Sequence, residues 1–467
     1  MANEMGSIWG WDGRVKRGTY ALFGVCGVAV KHNLDRLLAH AYGFKWGVWN
    51  YLDPLERAAR SAPLTSNEKN FLIVLLLTAL PFVWLGVTMT VKRLRDAGQP
   101  LWLTLLFFTP IVNLIFFALL CVTPSREGVS ATLGKAVPPP PASYWPTTRG
   151  GSATIAAAFS GLLGIAVTYG ALRFVGVYGL TLFISLPFVM GYLAVLIYSR
   201  TQRVNFLDVI RLVSFSLLVA GVGITAIAVE GIICILMAAP LAWVIAYLGG
   251  LLAQAIHGRQ NAPQVTPSTY AAVLVTLPLL LGVEHASPPP VPRFQVHTSI
   301  EIAAPPDVVW KRIIAFPPLP AATEWPFNFG IAYPIEARLS GEGLTADRAC
   351  RFSTGSFKEP ILVWEPGKHF AFAVAQEPLL MKETSPYKEI HVRHLEDHDF
   401  QAERADFVLV ALPDGGTRLE GTSTYTNKMW PGEYWRLWTD AIVHRIHYRV
   451  FNHVKTLAEE DAREANR

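Results

Sequence analysis

Two groups of histidines are the residues of this chain whose types and spacing could do chemistry. His391, His394 and His398 follow one another closely, as metal ligands often do. On a strand, however, positions 391 and 394 point to opposite faces, because side chains alternate with a period of two. We therefore interpret this group as an exposed polar strand end, and we predict no metal site.

His444 and His447 form the second group, and Asp440 precedes His444 by one helical turn. On a helix this spacing places the three side chains near one face. They could contact a ligand, act as acid and base, or hydrogen-bond to a neighbouring sheet or to water. No nucleophile–base motif accompanies them. We therefore predict no catalytic residue and no cofactor, and we expect a binding protein rather than an enzyme.

A carboxylate, Glu230, interrupts the apolar part of the sequence. Deep in lipid a carboxylate is costly and is usually functional. In a turn between two membrane helices it costs little, and we interpret Glu230 as marking such a turn. The cysteines form no CxxC motif and imply no disulfide framework.

The first part of the chain, which ends before these histidines, has the composition of membrane helices. Apolar residues make up 52% of the chain and charged residues 16%, against about 25% charged residues in ordinary soluble proteins. A membrane-spanning helix needs about 20 mostly apolar residues. The sequence predicts an all-α bundle of eight spans, or seven if the first does not cross: Thr19–Val30, Phe71–Val91, Leu101–Val122, Gly151–Leu172, Tyr178–Tyr198, Leu212–Val229, Ile232–Ile256 and Tyr270–Val283.

Positive charge is concentrated beside these apolar runs. The residues before Arg293 contain 20 Lys and Arg against 11 Asp and Glu, whereas the remainder contains 20 against 24. Such an excess sets helix orientation and attracts anionic lipid head groups. The later residues form no basic stripe, so we predict membrane lipids, and not nucleic acid, as partners. The oligomeric state is left open.

After Arg293 the pattern changes to that of an α+β domain. A short helix is predicted at Pro305–Phe316, and a long one at Pro431–Glu460 carries an apolar face of Trp435, Trp438, Ile442, Ile446 and Val450. Alternation and turn signals predict a curved antiparallel sheet around the long helix, with strands at Gln295–Ile302, Ile331–Leu339, Ala349–Ser353, Ile361–Trp364, Phe370–Val374, Glu389–Leu395, Asp406–Leu412 and Thr417–Thr426.

Three motifs stand in order near the N-terminus: GRVKRGTY from Gly13, VKRLRDAGQPLW from Val91, and the following FFTPIVNLIFFALLCVTPS. With them, the region from about Gly13 to Ser125 resembles the DUF805 family of small bacterial inner-membrane proteins. The resemblance implies that location but no biochemical activity. This chain has Arg95 where family members commonly carry a histidine, so a role of that histidine is not transferred.

A second set of motifs lies in the C-terminal region: VHTSIEIAAPPDVVW from Val296, GTRLEGTSTY from Gly416, and YWRLWTDAIVHRIHYRV from Tyr434. From about Val296 to Ala462 the chain resembles the SRPBCC superfamily, which has the START-like or polyketide-cyclase-like helix-grip fold. The resemblance implies a cavity between sheet and long helix. It does not single out one function, because the superfamily includes lipid carriers, receptors and cyclases.

These observations predict five segments: a DUF805-like membrane domain (1–125), a Pro-rich linker (126–150), a second helix bundle (151–286), a second Pro-rich linker (287–295) and a helix-grip domain (296–462). We expect an integral protein of a bacterial-type inner membrane whose cytoplasmic domain binds a hydrophobic small molecule or lipid. The alternatives are a transporter or channel with a regulatory domain, and a membrane-tethered cyclase-like enzyme. The predicted ligand contacts are Trp435, Trp438, Asp440, Ile442, His444, Ile446 and His447.

The positive charges yield a prediction of topology. Arg14, Lys16 and Arg17 precede the first span, and Lys92–Arg95 lies between the second and third. Under the positive-inside rule both groups are cytoplasmic, so eight spans place both termini in the cytoplasm. A reporter that works only in the cytoplasm should be active when fused after Arg467. Activity only from an exported reporter at the same position would contradict the prediction.

Overall fold

A computed structural model describes residues 8–51, 65–108, 112–125, 146, 148–257, 267–375, 377–387, 390 and 392–465. The chain divides into two compact units. One contains Met1–Ile224 and Ala238–Pro290, and the other contains Thr225–Met237 and Val291–Arg467. The predicted linker at 126–150 lies largely outside the described residues.

The first unit is helical, as predicted. Its helices are α1 (Arg17–Ala41), α2 (Ser66–Asp96), α3 (Val112–Val122), α4 (Arg149–Gly170), α5 (Leu186–Tyr198), α6 (Phe206–Ala226), α7 (Ile232–His257), whose first turns belong to the second unit, and α8 (Pro267–Ala286). Two single π-helical turns, Ala171–Val175 and Thr181–Ser185, extend α4 and precede α5. A 3₁₀ helix, Leu101–Phe108, lies between α2 and α3.

Within the described residues, five helical segments are long and apolar enough to cross a membrane: Ser66–Asp96, Arg149–Val175, Thr181–Tyr198, Phe206–Ala226 and Ile232–His257. A helical region with apolar candidate spans is thus confirmed, whereas the count of eight is not. The predicted span Leu101–Val122 contains a 3₁₀ helix and a separate short helix. Since an even count carried the predicted topology, the positions of the termini stay a prediction.

Small residues let the helices of this unit approach closely. Every side chain of α5 is buried. A Cβ added at Gly191 of α5 would lie 1.8 Å from the carbonyl oxygen of Ala246, and one at Gly249 would lie 2.0 Å from that of Phe188. Such backbone contact is how apolar helices associate where there is no water to expel.

The basic motif that follows the predicted second span has a structural role. Arg93 is fully buried, and its Nε donates to the carbonyl oxygen of Leu120 at 2.9 Å. Its other nitrogens contact the Asp96 carboxylate and the carbonyl oxygen of Thr123. The Ser125 hydroxyl donates to Asp96 at 2.5 Å. The buried guanidinium therefore ties the end of α2 to the end of α3, because a buried charge needs such partners.

The second unit contains two antiparallel sheets. The larger has the strand order β1-β8-β7-β6-β5, and the smaller has the order β2-β3-β4. The strands are β1 (Arg293–Ile302), β2 (Pro334–Ser340), β3 (Asp347–Phe352), β4 (Gly355–Lys358), β5 (Ile361–Glu365), β6 (His369–Ala373), β7 (Phe400–Ala411) and β8 (Thr417–Asn427).

Three helices complete this unit: α9 (Pro306–Ile314), the single turn α10 (Arg393–Glu396) and the long terminal α11 (Gly432–Ala465). The predicted α+β domain is therefore confirmed. One predicted strand, Glu389–Leu395, is wrong, because residues 393–396 are helical. The apolar run in this segment is short, and periodicity cannot distinguish a strand from a helical turn in so short a run.

The core of the unit lies between the C-terminal half of α11 and the large sheet. Phe451 and Val454 are fully buried there against Phe407 and Leu419. Gly421 of β8 makes room for the Phe451 ring, since a Cβ at this position would lie 2.4 Å from it. The aromatic ring fixes the distance between helix and sheet.

We expect a fragment from Pro292 to Arg467 to unfold cooperatively, and Phe451→Ala to lower its free energy of unfolding by about 3–5 kcal/mol, because a fully buried ring is lost. Denaturant unfolding followed by circular dichroism measures both. Asn452→Ala changes the neighbouring exposed residue and should shift stability by no more than about 0.5 kcal/mol. A fragment without a cooperative transition would show that it does not fold independently.

Candidate functional site

The predicted ligand residues all lie on α11, but on two sides of it. At about 100° per residue, Asp440, His444 and His447 form one stripe. Ile442 and Ile446 form another, roughly 200° away from Asp440 by the same rotation. The two stripes meet different partners, so they form two sites rather than one.

The polar stripe faces β1 and β8. The Thr298 hydroxyl lies 2.8 Å from His444 Nδ1 and 2.9 Å from His447 Nδ1. The Ser423 hydroxyl lies 2.8 Å from His447 Nε2. Both ring nitrogens of the buried His447 are therefore bonded to the sheet, and the ring stacks on Phe451 with centroids 5.7 Å apart.

Asp440 completes this network at the sheet's edge. The Tyr425 hydroxyl donates to Asp440 Oδ1 at 2.7 Å, and Arg436 Nε donates to Oδ2 at 3.0 Å. Of the roles that the sequence left open, the structure shows hydrogen bonding to the sheet for all three polar residues.

Burial sets the charge state of His447. It lowers the pKa of this imidazole to about 4, and the neighbouring His444 and His297 act in the same direction. His447 is therefore neutral at physiological pH, with one ring nitrogen donating and the other accepting. Of Thr298 and Ser423, one therefore accepts a hydrogen bond from the ring and the other donates one to it.

The apolar stripe meets a separate cluster. Ile442 and Ile446 are partly buried against Ile233, Phe327 and Ile331. The partly buried Met237, Ala322, Tyr333 and Met381 surround the same cluster. Ile233 and Met237 belong to the first two turns of α7, and the Tyr434 hydroxyl contacts the carbonyl oxygen of Met237. Trp435 is buried at the start of α11, whereas Trp438 is half-buried.

This arrangement reverses one expectation from the sequence. The sequence predicts that the apolar face of α11, which carries Ile442 and Ile446, lies under the curved sheet. Instead the polar residues hydrogen-bond to the sheet, and the two isoleucines pack against Phe327 and the start of α7. A helix covered on two sides has two buried faces, and the periodicity of the sequence does not tell which of them contacts the sheet.

The histidines 391–398 also differ from the prediction. His391 lies outside the described residues, and His398 is exposed. His394 is buried on α10, where its Nε2 lies 3.3 Å from Cys234 Sγ and its Nδ1 lies 3.6 Å from Glu230 Oε2. Residues 393–396 are helical, so the alternation of a strand, on which the prediction of no metal site depended, does not apply to His394. These three side chains could hold a metal ion.

Glu230 does lie in a turn between α6 and α7, as predicted, but it is buried. Burial lowers the pKa of His394, but the hydrogen bond and charge of Glu230, with the charges of Asp399 and Glu383, raise it above its ordinary value overall. Burial also raises the pKa of Glu383. Sequence reasoning missed this cluster because His394 is distant in the chain from Glu230 and Cys234.

A polar cavity of about 490 Å³ lies on the large sheet. Its lining is Arg293, Gln295, Arg404, Asp406, Thr422 and Thr424. Arg293 and Gln295 alternate along β1 with Phe294, Val296 and Thr298, and the last of these faces α11, so the cavity is on the face away from α11. Arg404 makes two hydrogen bonds of 2.6 Å to Asp406. We interpret it as a groove in the solvated face.

Residues 8–131 match the family model described as DUF805, a protein of unknown function. This match confirms the resemblance of the N-terminal region to that family. No curated protein matches the chain.

Solved structures similar to the chain include truncated norcoclaurine synthase from Thalictrum flavum, with 11% identity, a TM-score of 0.24, and coverage of 36% of this chain and 94% of that one. A Nitrosomonas europaea protein has 13% identity, a TM-score of 0.23, and coverage of 36% and 95%. The Aha1 dimer from Colwellia psychrerythraea has 15% identity, a TM-score of 0.21, and coverage of 36% and 96%. The antiparallel sheet and the long terminal helix packed on it give this domain the architecture of a helix grip.

The neutral state of His447 predicts a pH dependence. The pKa is about 4 in the folded domain and ordinarily 6.5. The unfolded chain therefore binds the proton first, and the contribution of His447 to stability is full above about pH 6.5 and is lost towards about pH 4. The loss is on the order of 3 kcal/mol. We expect His447→Gln to remove this part of the pH dependence in unfolding experiments on the fragment.

His398→Gln is the matched control, because His398 is exposed. It should leave the pH dependence as in the unmodified domain. Equal loss of stability on acidification in the His447→Gln and unmodified domains would contradict a buried neutral imidazole.

Proposed function

We propose that this protein is a membrane-anchored binding module whose helix-grip domain holds a lipid or another small apolar molecule. The main observation in support is the apolar cluster around Ile442 and Ile446, which includes Ile233 and Met237 of α7. Since α7 is a candidate membrane span, a ligand could reach this cluster from the bilayer without crossing water.

The composition of the cluster supports this proposal. Met237 and Met381 are flexible and polarisable, and such side chains adapt to apolar ligands of different shape. Six of the side chains in contact with it are only partly buried: Met237, Ala322, Tyr333, Met381, Ile442 and Ile446. Apolar lining with a few polar groups is typical of small-molecule sites. Here the Tyr333 hydroxyl would supply a polar contact.

The membrane assignment extends the proposal. The DUF805-like region and the apolar helices support residence in a bacterial inner membrane, with membrane lipids as partners. The proposal places the helix-grip domain on the cytoplasmic side, on the basis of the positive charges beside the apolar runs. Neither a transporter nor a cyclase-like enzyme gains a specific supporting observation within the described residues.

The proposal predicts saturable binding of a fluorescent fatty acid by the full chain in lipid nanodiscs, beyond the signal of empty discs. Ile446→Trp should weaken this binding about tenfold or more, because a bulkier ring fills the cluster and overpacking costs about 1–3 kcal/mol. Fluorescence titration at several probe concentrations measures the dissociation constant.

Leu437→Trp is the matched control, because Leu437 lies on the same helix and is 69% exposed. It adds the same ring to the chain and should bind like the unmodified protein. Absence of saturable binding beyond empty discs would overturn the proposal, as would equal affinity in the Ile446→Trp protein.

A further inference from the structure

Three potential metal ligands meet inside the second unit. Glu230 precedes α7, Cys234 lies in its first turn, and His394 lies on α10. One donor atom from each, a carboxylate oxygen, a thiol sulfur and an imidazole nitrogen, can be chosen so that all lie within 4.8 Å of one another. Glu230 and His394 are 6% and 7% exposed and Cys234 is half-buried, so the carboxylate and the imidazole are shielded from competing water.

Backbone contacts hold this cluster in place. Glu383 accepts the backbone N–H groups of Ile233 and Cys234, each at 3.3 Å. The backbone N–H of Ile232 donates to the carbonyl oxygen of Thr384 at 2.9 Å. A Cβ at Gly231 would lie 2.0 Å from the Glu383 carboxylate. The turn before α7 is therefore fitted closely against the segment that carries Glu383, which positions Cys234 before any ion binds.

The charges around His394 favour a cation. Glu230, Glu383 and Asp399 all act electrostatically on this imidazole. Lys428 pairs with Asp399 at 3.7 Å, whereas Glu230 and Glu383 surround the thiol and the imidazole. A divalent ion among a carboxylate, a thiolate and a neutral imidazole gives a net charge of zero. Buried charges are tolerated when they are compensated in this way.

We propose that Glu230, Cys234 and His394 bind a divalent transition-metal ion, with Zn²⁺ as the ion that this ligand set favours. Thiolate and imidazole are ligands of Zn²⁺, whereas Mg²⁺ and Ca²⁺ require oxygen ligands. Three protein ligands leave a fourth position for water or another donor. One ring nitrogen of His394 binds the ion, and the other remains for a hydrogen bond that fixes the ring.

Such an ion has a structural consequence. Residues 234 and 394 are far apart in sequence, and a metal bound by both closes the intervening chain into a loop. Metal binding of this kind contributes directly to folding free energy, because the unfolded chain lacks the assembled site. The ion would fix the segment Thr225–Met237 to the remainder of the second unit, independently of any lipid ligand.

The test uses the full chain, purified in detergent, stripped with a chelator and reloaded with Zn²⁺. After dialysis, elemental analysis should find about one Zn²⁺ per chain. Loading with Co²⁺ instead should give a thiolate-to-metal charge-transfer band in the ultraviolet and d–d bands in the visible. Cys234→Ser should abolish the charge-transfer band. His394→Gln should weaken Zn²⁺ binding at least about 100-fold. Loss of a residue that only hydrogen-bonds to a ligand costs up to about 100-fold in metal affinity, and loss of a direct ligand should cost at least as much.

Two matched variants control for the other thiols and histidines. Cys26→Ser removes an exposed cysteine and His398→Gln an exposed histidine, and both should keep metal content and spectra. Size-exclusion chromatography checks that each variant is folded. The proposal is overturned if the unmodified chain retains no Zn²⁺, or if folded Cys234→Ser and His394→Gln proteins bind it as tightly as the unmodified chain.

Discussion

The terminal helix α11 has to satisfy two different surfaces at once, and the rest of the second unit is arranged around this constraint. Its C-terminal half presents Phe451 and Val454 to the large sheet, which supplies a dry core. Its N-terminal half presents Asp440, His444 and His447 to the same sheet through hydrogen bonds. Directional bonds fix the helix's rotation, and that rotation turns Ile442 and Ile446 towards Phe327.

The polar network lies on a different side of α11 from the cluster at Ile442 and Ile446, which is separate from the dry core around Phe451. Tight packing around Phe451 leaves little room for a ligand, since interiors at native density do not accommodate added volume. The cluster at Ile442 and Ile446 contains partly buried residues and two methionines, so it can repack at lower cost. A domain that holds its helix firmly at one end can therefore adapt near the other.

Sequence patterns predicted the architecture well where one period dominated. Alternation found β1 and β8, and apolar runs found the membrane helices. The long apolar stripe of α11 was also real, but its direction was not predictable, because both sides of the helix are buried. The cluster of Glu230, Cys234 and His394 was not predicted, since His394 lies about 160 residues from the other two in the sequence. Two members gave separate signals: Glu230 as a charge between apolar runs, and His394 as part of a histidine group that was assigned to a strand.

Long-range contacts of this kind also explain why the second unit begins earlier than the Pro-rich segment suggests. Composition marks Pro288–Pro290 as a boundary, yet Thr225–Met237 groups with the residues that follow it. The hydrogen bonds of Ile232, Ile233 and Cys234 to residues 383 and 384 account for that grouping. The first turn of a candidate membrane helix is thereby part of the second unit's packing. Ile233 of that turn packs with Phe327 and Ile331, and Ile442 and Ile446 of α11 pack against the same cluster, so the turn and α11 share one apolar contact surface.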